Sequence, residues 1–245
     1  MKATYKAQYT VPGMRKWLQN HEFIYKRPAT VPGKLDPQKQ EEFIPEYVAL
    51  KENLKENEAL LFIDAMHPEY QSRRICGWIK KGETKHLQST AKQTRLHFIG
   101  AIELNSEADS HEITTMEVDT VDFDTSSLFF DYLLEKYKDK ETIYLISDNG
   151  RSFKSKKIDE YLEKNKKIKI IYLPPYSPNL NPIERLWKVV RENTQYNKYY
   201  SKFKEFEEEV RAFFNEKIHL MKNQIYRRIN DNFQKFNFNL IKTAS

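Results

Sequence analysis

The segment Ile168–Trp187 places the tightest limit on how this chain can fold. An apolar run, Ile168–Leu173, is followed by Pro174-Pro-Tyr-Ser-Pro-Asn-Leu-Asn-Pro182 and then by Ile183-Glu-Arg-Leu-Trp187. That order reads as a strand, a stiff loop and the start of a helix. Pro174, Pro175, Pro178 and Pro182 fix φ and reduce the number of shapes open to the loop before folding. Asn181 suits the helix N-cap, Pro182 the first helical position and Glu184 the third. Asn181 and Glu184 also have the spacing of a capping-box-like pair, in which a glutamate ordinarily does no more than stabilise a helix start. Whether Glu184 does more depends on where the other acids fall.

Hydrophobic periodicity orders the rest of the chain. A short helix over Pro12–His21 and an extended Phe23–Pro28 come first, then a Pro-rich connector over 28–37. Asp36 caps a helix from Pro37 to about Asn57, with Phe43, Ile44, Tyr47, Val48 and Leu54 as its stripe. Pro45 inside it predicts a kink or a split into two shorter helices. Strands are expected at Leu60–Met66, Ile75–Lys80, Arg95–Leu104 and Glu112–Val118. In the third of these, Leu96, Phe98, Ile102 and Leu104 alternate as in a half-solvated strand. A helix capped by Asp124 follows over about Thr125–Lys138, with Leu128, Phe129, Tyr132 and Leu133 inward. Strand Ile143–Ser147, helix Ser155–Asn165, strand Ile168–Leu173 and a helix from Pro182 to about Asn193 come next. Two more helices, Phe203–Leu220 and Asn223–Phe233, complete the chain. Antiparallel strands first and helical crossovers afterwards predict a mixed α/β sheet covered by helices.

On that sheet the acids acquire positions. Asp64 ends the first strand and Asp148 a later one, and Glu184 starts the helix after the next, with 35 residues between it and Asp148. If those two strands are parallel neighbours, all three carboxylates converge on one edge of the sheet. Like charges so placed raise one another's pKa and oppose folding unless cations neutralise them. Mg2+ or Mn2+, hard ions that take oxygen ligands, do this, and two ions about 3.5–4 Å apart promote phosphodiester cleavage. Each acid also has a plainer use. Asp148-Asn-Gly150 is a common turn sequence and Asp64 suits a cap. Asp119, Asp122 and Asp124 read as a surface turn plus a helix cap.

Composition narrows the function classes. The 245 residues suit one large domain or one with appendages, and 15 Phe, 15 Tyr and three Trp supply core side chains although only 39% is apolar. No stretch approaches the ~18 apolar residues of a membrane span, and the N-terminus lacks a secretory signal's apolar core. Cys76 is the only cysteine, so no intrachain disulfide forms and a reducing cytoplasm fits. The six histidines are scattered without cysteine partners, which argues against a structural zinc site. Between Arg151 and Tyr200 stand 12 Lys and Arg against 5 Asp and Glu, a local excess of +7. A positive surface beside a cleft points to a polyanion such as nucleic acid, and a solvated lysine-rich helix face gives the same count.

Phe62-Ile-Asp64, Ser147-Asp-Asn-Gly150 and above all Pro175-Tyr-Ser-Pro-Asn-Leu-Asn-Pro-Ile-Glu184 resemble the three catalytic blocks of the mariner-type superfamily, most closely its bacterial insertion-sequence transposases. The resemblance covers roughly residues 9–235. It implies a ribonuclease H-like catalytic domain with a mixed five-stranded sheet flanked by helices and short helical extensions at both ends. It also implies that Asp64, Asp148 and Glu184 are a DDE triad binding two Mg2+ or Mn2+ ions. The implied activity is cleavage at transposon ends followed by attack of a freed 3′-hydroxyl on target DNA, generally at TA. Asn149, Tyr176, Ser177 and Asn179 would then be contacts around the triad or to the DNA backbone. His67, three residues past Asp64, would touch phosphate or be a satisfied structural histidine, and Trp187 would pack in the core. Arg15, Lys16 and Arg27 are further candidate DNA contacts.

The resemblance sets domain limits: 1–27 as the remnant of a helix-turn-helix region, 28–58 as Pro-rich linker and helix, 59–195 as the catalytic domain and 196–245 as a helical extension. Family members usually begin with two helix-turn-helix units. Here Tyr9–Leu18 and Phe23–Pro28 resemble only the last recognition helix and the strand after it. The expected partners are therefore DNA, and either a second copy or a polypeptide carrying the remaining DNA-reading region, in the bacterial cytoplasm around the nucleoid. A stand-alone nuclease of the same fold and a non-catalytic regulator are the alternative functions.

Overall fold

The structure, a computed structural model, describes residues 10–25, 36–89, 94–104 and 111–233. The chain forms two compact units, Met1–Gly33 and Lys34–Ser245. In the first, helix α1 (Val11–Asn20) is capped by Thr10, whose hydroxyl accepts from the Gly13 N–H at 3.2 Å. Arg15 and Lys16 are exposed on it, and Arg27 lies outside the described residues.

The second unit is built on five strands: β1 (Glu58–Met66), β2 (His97–Glu103), β3 (Glu112–Val118), β4 (Thr142–Ser147) and β5 (Ile168–Tyr172). Their order is β3-β2-β1-β4-β5. The β1–β2 and β2–β3 pairs are antiparallel, and β1–β4 and β4–β5 parallel. Because successive residues of a strand face opposite sides, β1 feeds two cores. Leu60, Phe62 and Met66 join one layer, and Ala59, Leu61 and Ile63 the other. The second layer is closed by α3 (Phe123–Lys136) and α4 (Lys156–Lys164) through Phe129, Phe130, Leu133 and Ile158.

The first layer takes α2 (Pro37–Glu52), α5 (Ile183–Thr194), α6 (Phe203–Ala212) and α7 (Lys222–Arg228). Between α6 and α7 a π-helical turn, Phe213–Lys217, runs into Ile218–Leu220. Helices α2, α5, α6 and α7 thus share one core, to which residues outside 59–195 contribute. Helix α2 is clamped to the segment after α7, where the Asp231 carboxylate accepts from Tyr47 Oη at 2.8 Å and Lys51 Nζ at 2.5 Å.

Five expectations are corrected. No strand forms at Ile75–Lys80. That segment pairs with no strand of the sheet; its Ile75 N–H donates to the Asn197 side chain and Trp78 stands fully exposed. β2 is buried on both faces, being an inner strand, and is not half-solvated. Helix α2 runs through Pro45 without splitting, because Glu41 and Pro45 lie on its exposed side, where water can reach the freed carbonyl. Helix α3 is capped by Asp122 instead of Asp124, since only Asp122 can exchange reciprocal bonds with Thr125. Its buried stripe is Ser126, Phe129, Phe130 and Leu133, leaving Leu128 and Tyr132 exposed.

Although burial opposes its charge, the bonds from Lys51 and Tyr47 hold Asp231 below the usual carboxylate range. Its stabilising effect is present above the unfolded pKa and is lost as pH falls through the lower folded value. Thermal unfolding should therefore show Asp231→Asn less stable by roughly 1–3 kcal/mol at pH 7. The gap from wild type should close at acid pH.

Candidate active site

Register brings the acids together. Asp64 follows Ile63, which pairs with Ser147 across the parallel β1–β4 contact, so Asp64 and Asp148 lie side by side; β1 itself runs on to Met66, so Asp64 stands within the strand and not at its end as expected. Both acids lie towards the C-terminal ends of their strands, where open α/β sheets place ligands. Leu173 closes the β5 side by donating its N–H to the Ser147 carbonyl at 2.8 Å. The chain then turns through the proline loop and a 3-10 turn, Pro178–Leu180, into α5, which carries Glu184 in its first turn. Asp64, Asp148 and Glu184 line a single cavity of about 460 Å3, together with Asn149, Gly150, Tyr176, Ser177 and Asn181.

The loop is held from behind. Gln40 on α2, almost fully buried, donates through Nε2 to Ser177 Oγ at 2.7 Å and to Asn179 Oδ1 at 3.2 Å. Asn179 Nδ2 returns a bond to Gln40 Oε1 at 3.2 Å. Ser177 is therefore an interior brace of the loop. Asn149 is similarly engaged: its Nδ2 donates to the Leu173 carbonyl at 2.7 Å and its Oδ1 accepts from Lys154 Nζ at 2.6 Å. It ties the turn after β4 to the loop after β5. Tyr176 takes φ of +58°, in the left-handed region that non-glycine residues rarely adopt, and its side chain is more than half exposed. Asn181 accepts from the Ile183 N–H at 3.4 Å, but the helix begins at Ile183 with Pro182 as its cap, so Glu184 is the second helical residue and not the third as expected. The Asn181 N–H goes to the Pro178 carbonyl, so the return bond of a capping box from Glu184 is not made.

Each carboxylate is held by a different partner. Trp187 Nε1 donates to Asp64 Oδ2 at 2.9 Å. The Gly150 N–H donates to Asp148 Oδ1 at 2.9 Å, and a Cβ on Gly150 would meet that same oxygen at 2.9 Å. Glu184 Oε2 lies 3.9 Å from Arg191 Nη2, two turns along α5. Burial, then the charges of Glu184 and Asp148, push Asp64 up to about 7. Burial also raises Glu184, against the pull of Arg191 and with Asp148 adding to it.

Among the described residues no three His, Cys, Asp or Glu side chains stand close enough together to hold a metal ion as placed. The donor chemistry nevertheless fits a hard divalent cation, with three oxygen-bearing acids facing one cavity, two of them with pKa raised by burial and by their acidic neighbours.

A second cavity, of about 390 Å3, opens on the other side of Asp64 and Asp148 and is lined by His67, His97, Thr120, Arg151 and Ser152. The Nδ1 atoms of His67 and His97 are 2.7 Å apart, so one ring donates and the other accepts. Burial, with Arg95 adding, holds both histidines below their ordinary value, hence neutral at pH 7. His97 and Arg151 were not singled out in the sequence. The antiparallel pairing of Met66 with Phe98 is what sets His97 across from His67. Trp187 packs in the core as expected, but its bond to Asp64 was not foreseen; the signal was available, since a buried indole N–H needs an acceptor.

A mixed five-stranded sheet with helices on both faces and acids near the C-terminal ends of two parallel inner strands is the ribonuclease H-like α/β fold. Comparison with known proteins agrees. A sequence model described as DDE superfamily endonuclease matches residues 59–207, and the chain belongs to that family. A winged helix-turn-helix model matches residues 1–47. The chain is 27% identical over 205 residues to an insertion element IS630 uncharacterized 39 kDa protein of Shigella sonnei, a match covering 82% of this chain and 57% of that relative. It thus spans little more than half the length of that relative.

Among solved structures it is similar in fold to the Mos1 transposase paired-end complex with left transposon end. The TM-score is 0.60 at 13% identity, over 93% of this chain and 72% of that one. The Mos1 mariner paired-end complex with Mn gives 0.61 at 13% identity, over 89% and 65%. Among the described residues no helix is long and apolar enough to cross a membrane.

The raised pKa of Asp64 fixes the sign of a pH effect. An acid whose folded pKa lies above its unfolded value favours the fold while protonated, and that contribution is lost as pH rises from about 4 towards 7. Metal-free protein should therefore lose thermal stability between pH 5 and 8. Asp64→Asn should flatten this trend and unfold at least about 3 °C higher than wild type at pH 8. Added Mn2+ should raise the wild-type midpoint at pH 8 and leave that of Asp64→Asn unchanged.

Proposed function

We propose that this chain carries the catalytic part of an insertion-sequence transposase, which cuts DNA at the element's ends and joins the freed 3′-hydroxyl to target DNA. The observation that carries this reading is the convergence of Asp64, Asp148 and Glu184 on one cavity within the residues matched by the DDE endonuclease family. The Shigella relative belongs to an insertion element, and the solved relatives are transposase complexes with transposon ends, which favours transposition over general hydrolysis.

Asp64, Asp148 and Glu184 would hold Mg2+ or Mn2+, two ions in our reading. Such ions supply Lewis acidity and charge neutralisation for phosphodiester chemistry. The chain's own residues do the rest. Asp64 and Asp148 stand between the two cavities, so a DNA strand crossing them would have the proline loop on one flank and the histidine pair on the other. Arg151 offers charge to a phosphate, and His67, His97, Thr120 and Ser152 offer neutral donors. Tyr176, exposed beside the first cavity, offers a face for a base or sugar. Asn149 and Ser177 position the loops instead of meeting DNA, since their polar atoms are committed within the protein. Arg15, Lys16 and Arg27 belong to the N-terminal unit, for which we propose a role in end recognition, consistent with the winged helix-turn-helix match. Insertion at TA and action as a homodimer, or with a partner polypeptide bearing further DNA-reading elements, complete the proposal.

The protein should be incubated with Mn2+ or Mg2+ and duplex DNA carrying the element's own ends. Cleavage at those ends and joining to a second duplex are expected, and both should fall more than about 10³-fold in Asp148→Ala and Glu184→Ala. Nicking of any duplex without joining would assign a general nuclease. Salt-sensitive binding without cleavage would assign a regulator.

A further inference from the structure

We infer that Trp187 is a positioning residue for Asp64, and that Gly100 is a glycine in order to admit it. The inference rests on the reading of the carboxylate cavity as a divalent-ion site. Trp187 is buried on α5, one turn beyond Glu184, and its Nε1 donates to Asp64 Oδ2 at 2.9 Å. A bond from an N–H to a carboxylate fixes the rotation of the group that accepts it. One oxygen of Asp64 is committed to the indole, and the other is left for a cation.

The connection matters because of what it joins. Asp64 lies near the end of β1, whereas Glu184 sits on α5, far from it in sequence. The indole belongs to the helix that carries Glu184 and grips the acid on the strand, so it sets the spacing of the first and third carboxylates directly. In this respect it resembles the outer partners that orient metal ligands elsewhere, whose removal weakens the site without touching a ligand.

Gly100 supplies an independent observation. It lies opposite Asp64 in the β1–β2 register, in the middle of a buried strand where a glycine is otherwise unfavourable. A Cβ there would come within 2.4 Å of Trp187 Cη2 and 2.9 Å of Cζ2, with Ile183 Cδ1 at 3.4 Å. The indole cannot retreat freely, since it packs edge-on against Phe214. Any side chain at position 100 therefore moves the ring that holds Asp64.

The test compares the full chain with Trp187→Phe, which keeps an aromatic ring and removes the N–H, and with Gly100→Ala. Mn2+ binding is measured by calorimetry, and folding by cooperative unfolding. Both variants should fold and bind Mn2+ about 10-fold more weakly than wild type, in line with losses of outer partners. Mg2+ should also shift the Trp187 indole N–H resonance in wild type but not in Asp64→Asn, a response that packing alone would not give. Mn2+ affinity within about twofold of wild type in Trp187→Phe, or an indole resonance indifferent to Mg2+ while Mn2+ binding still requires Asp64, would overturn the inference and leave the ion site standing. Wild type that binds no Mn2+, or Asp64→Asn that binds it equally well, would remove the ion site and this inference with it. If neither variant folds, the wild-type resonance decides.

Discussion

Repulsion among three acids in one cavity is the constraint around which this structure is arranged. Asp64 and Glu184 are both raised in pKa by burial and by their acidic neighbours, so the ionised cavity opposes the fold that creates it. The structure meets the repulsion locally. An indole N–H, a backbone N–H and a guanidinium each take one acid, and none of the three is shared. As placed, the three acids do not form a closed ligand set among the described residues. A divalent ion would reverse the sign of the interaction and turn the mutual cost into a shared gain.

The rest of the fold fixes where the three acids start from. Parallel pairing of β1 and β4 sets Asp64 beside Asp148 through backbone register alone. Glu184 comes from outside the sheet and needs more support. The prolines limit the loop, Asn149 ties it to the turn after β4, and Gln40 pins Ser177 and Asn179 from α2. Helix α2 is in turn clamped through Tyr47 and Lys51 to Asp231. Segments distant in sequence on both sides of the catalytic core therefore bear on the placement of one glutamate.

Much of this could be read from the residues, and the remainder could not for identifiable reasons. Strands that feed the core and helices with polar caps carry local signals, so β1, β3, β4, β5 and the start of α2 fell close to their expected limits. Ile75–Lys80 has strand-like side chains but lies outside the sheet, a fact that only the assembled sheet contains. The inner position of β2 and the continuity of α2 through Pro45 likewise depend on neighbours. Asp64, Asp148 and Glu184 were legible because each sits at or near an element boundary, and the long Pro-rich block resembles a family motif. The groups that hold them were less so. Gln40, His97, Gly100 and the N–H of Trp187 reach the site through tertiary contacts across long sequence separations, Arg151 lies just beyond the second block, and none belongs to the three blocks.

The central claim is that Asp64, Asp148 and Glu184 form one cation site. It is tested most directly by locating Mn2+ from its anomalous scattering in crystals of the protein grown with that ion. The account predicts strong anomalous density in the cavity, bounded by carboxylate oxygens of all three residues, with their side chains turned towards it. Anomalous density confined to other acids, or an ordered cavity that stays free of it at saturating Mn2+, would contradict the account.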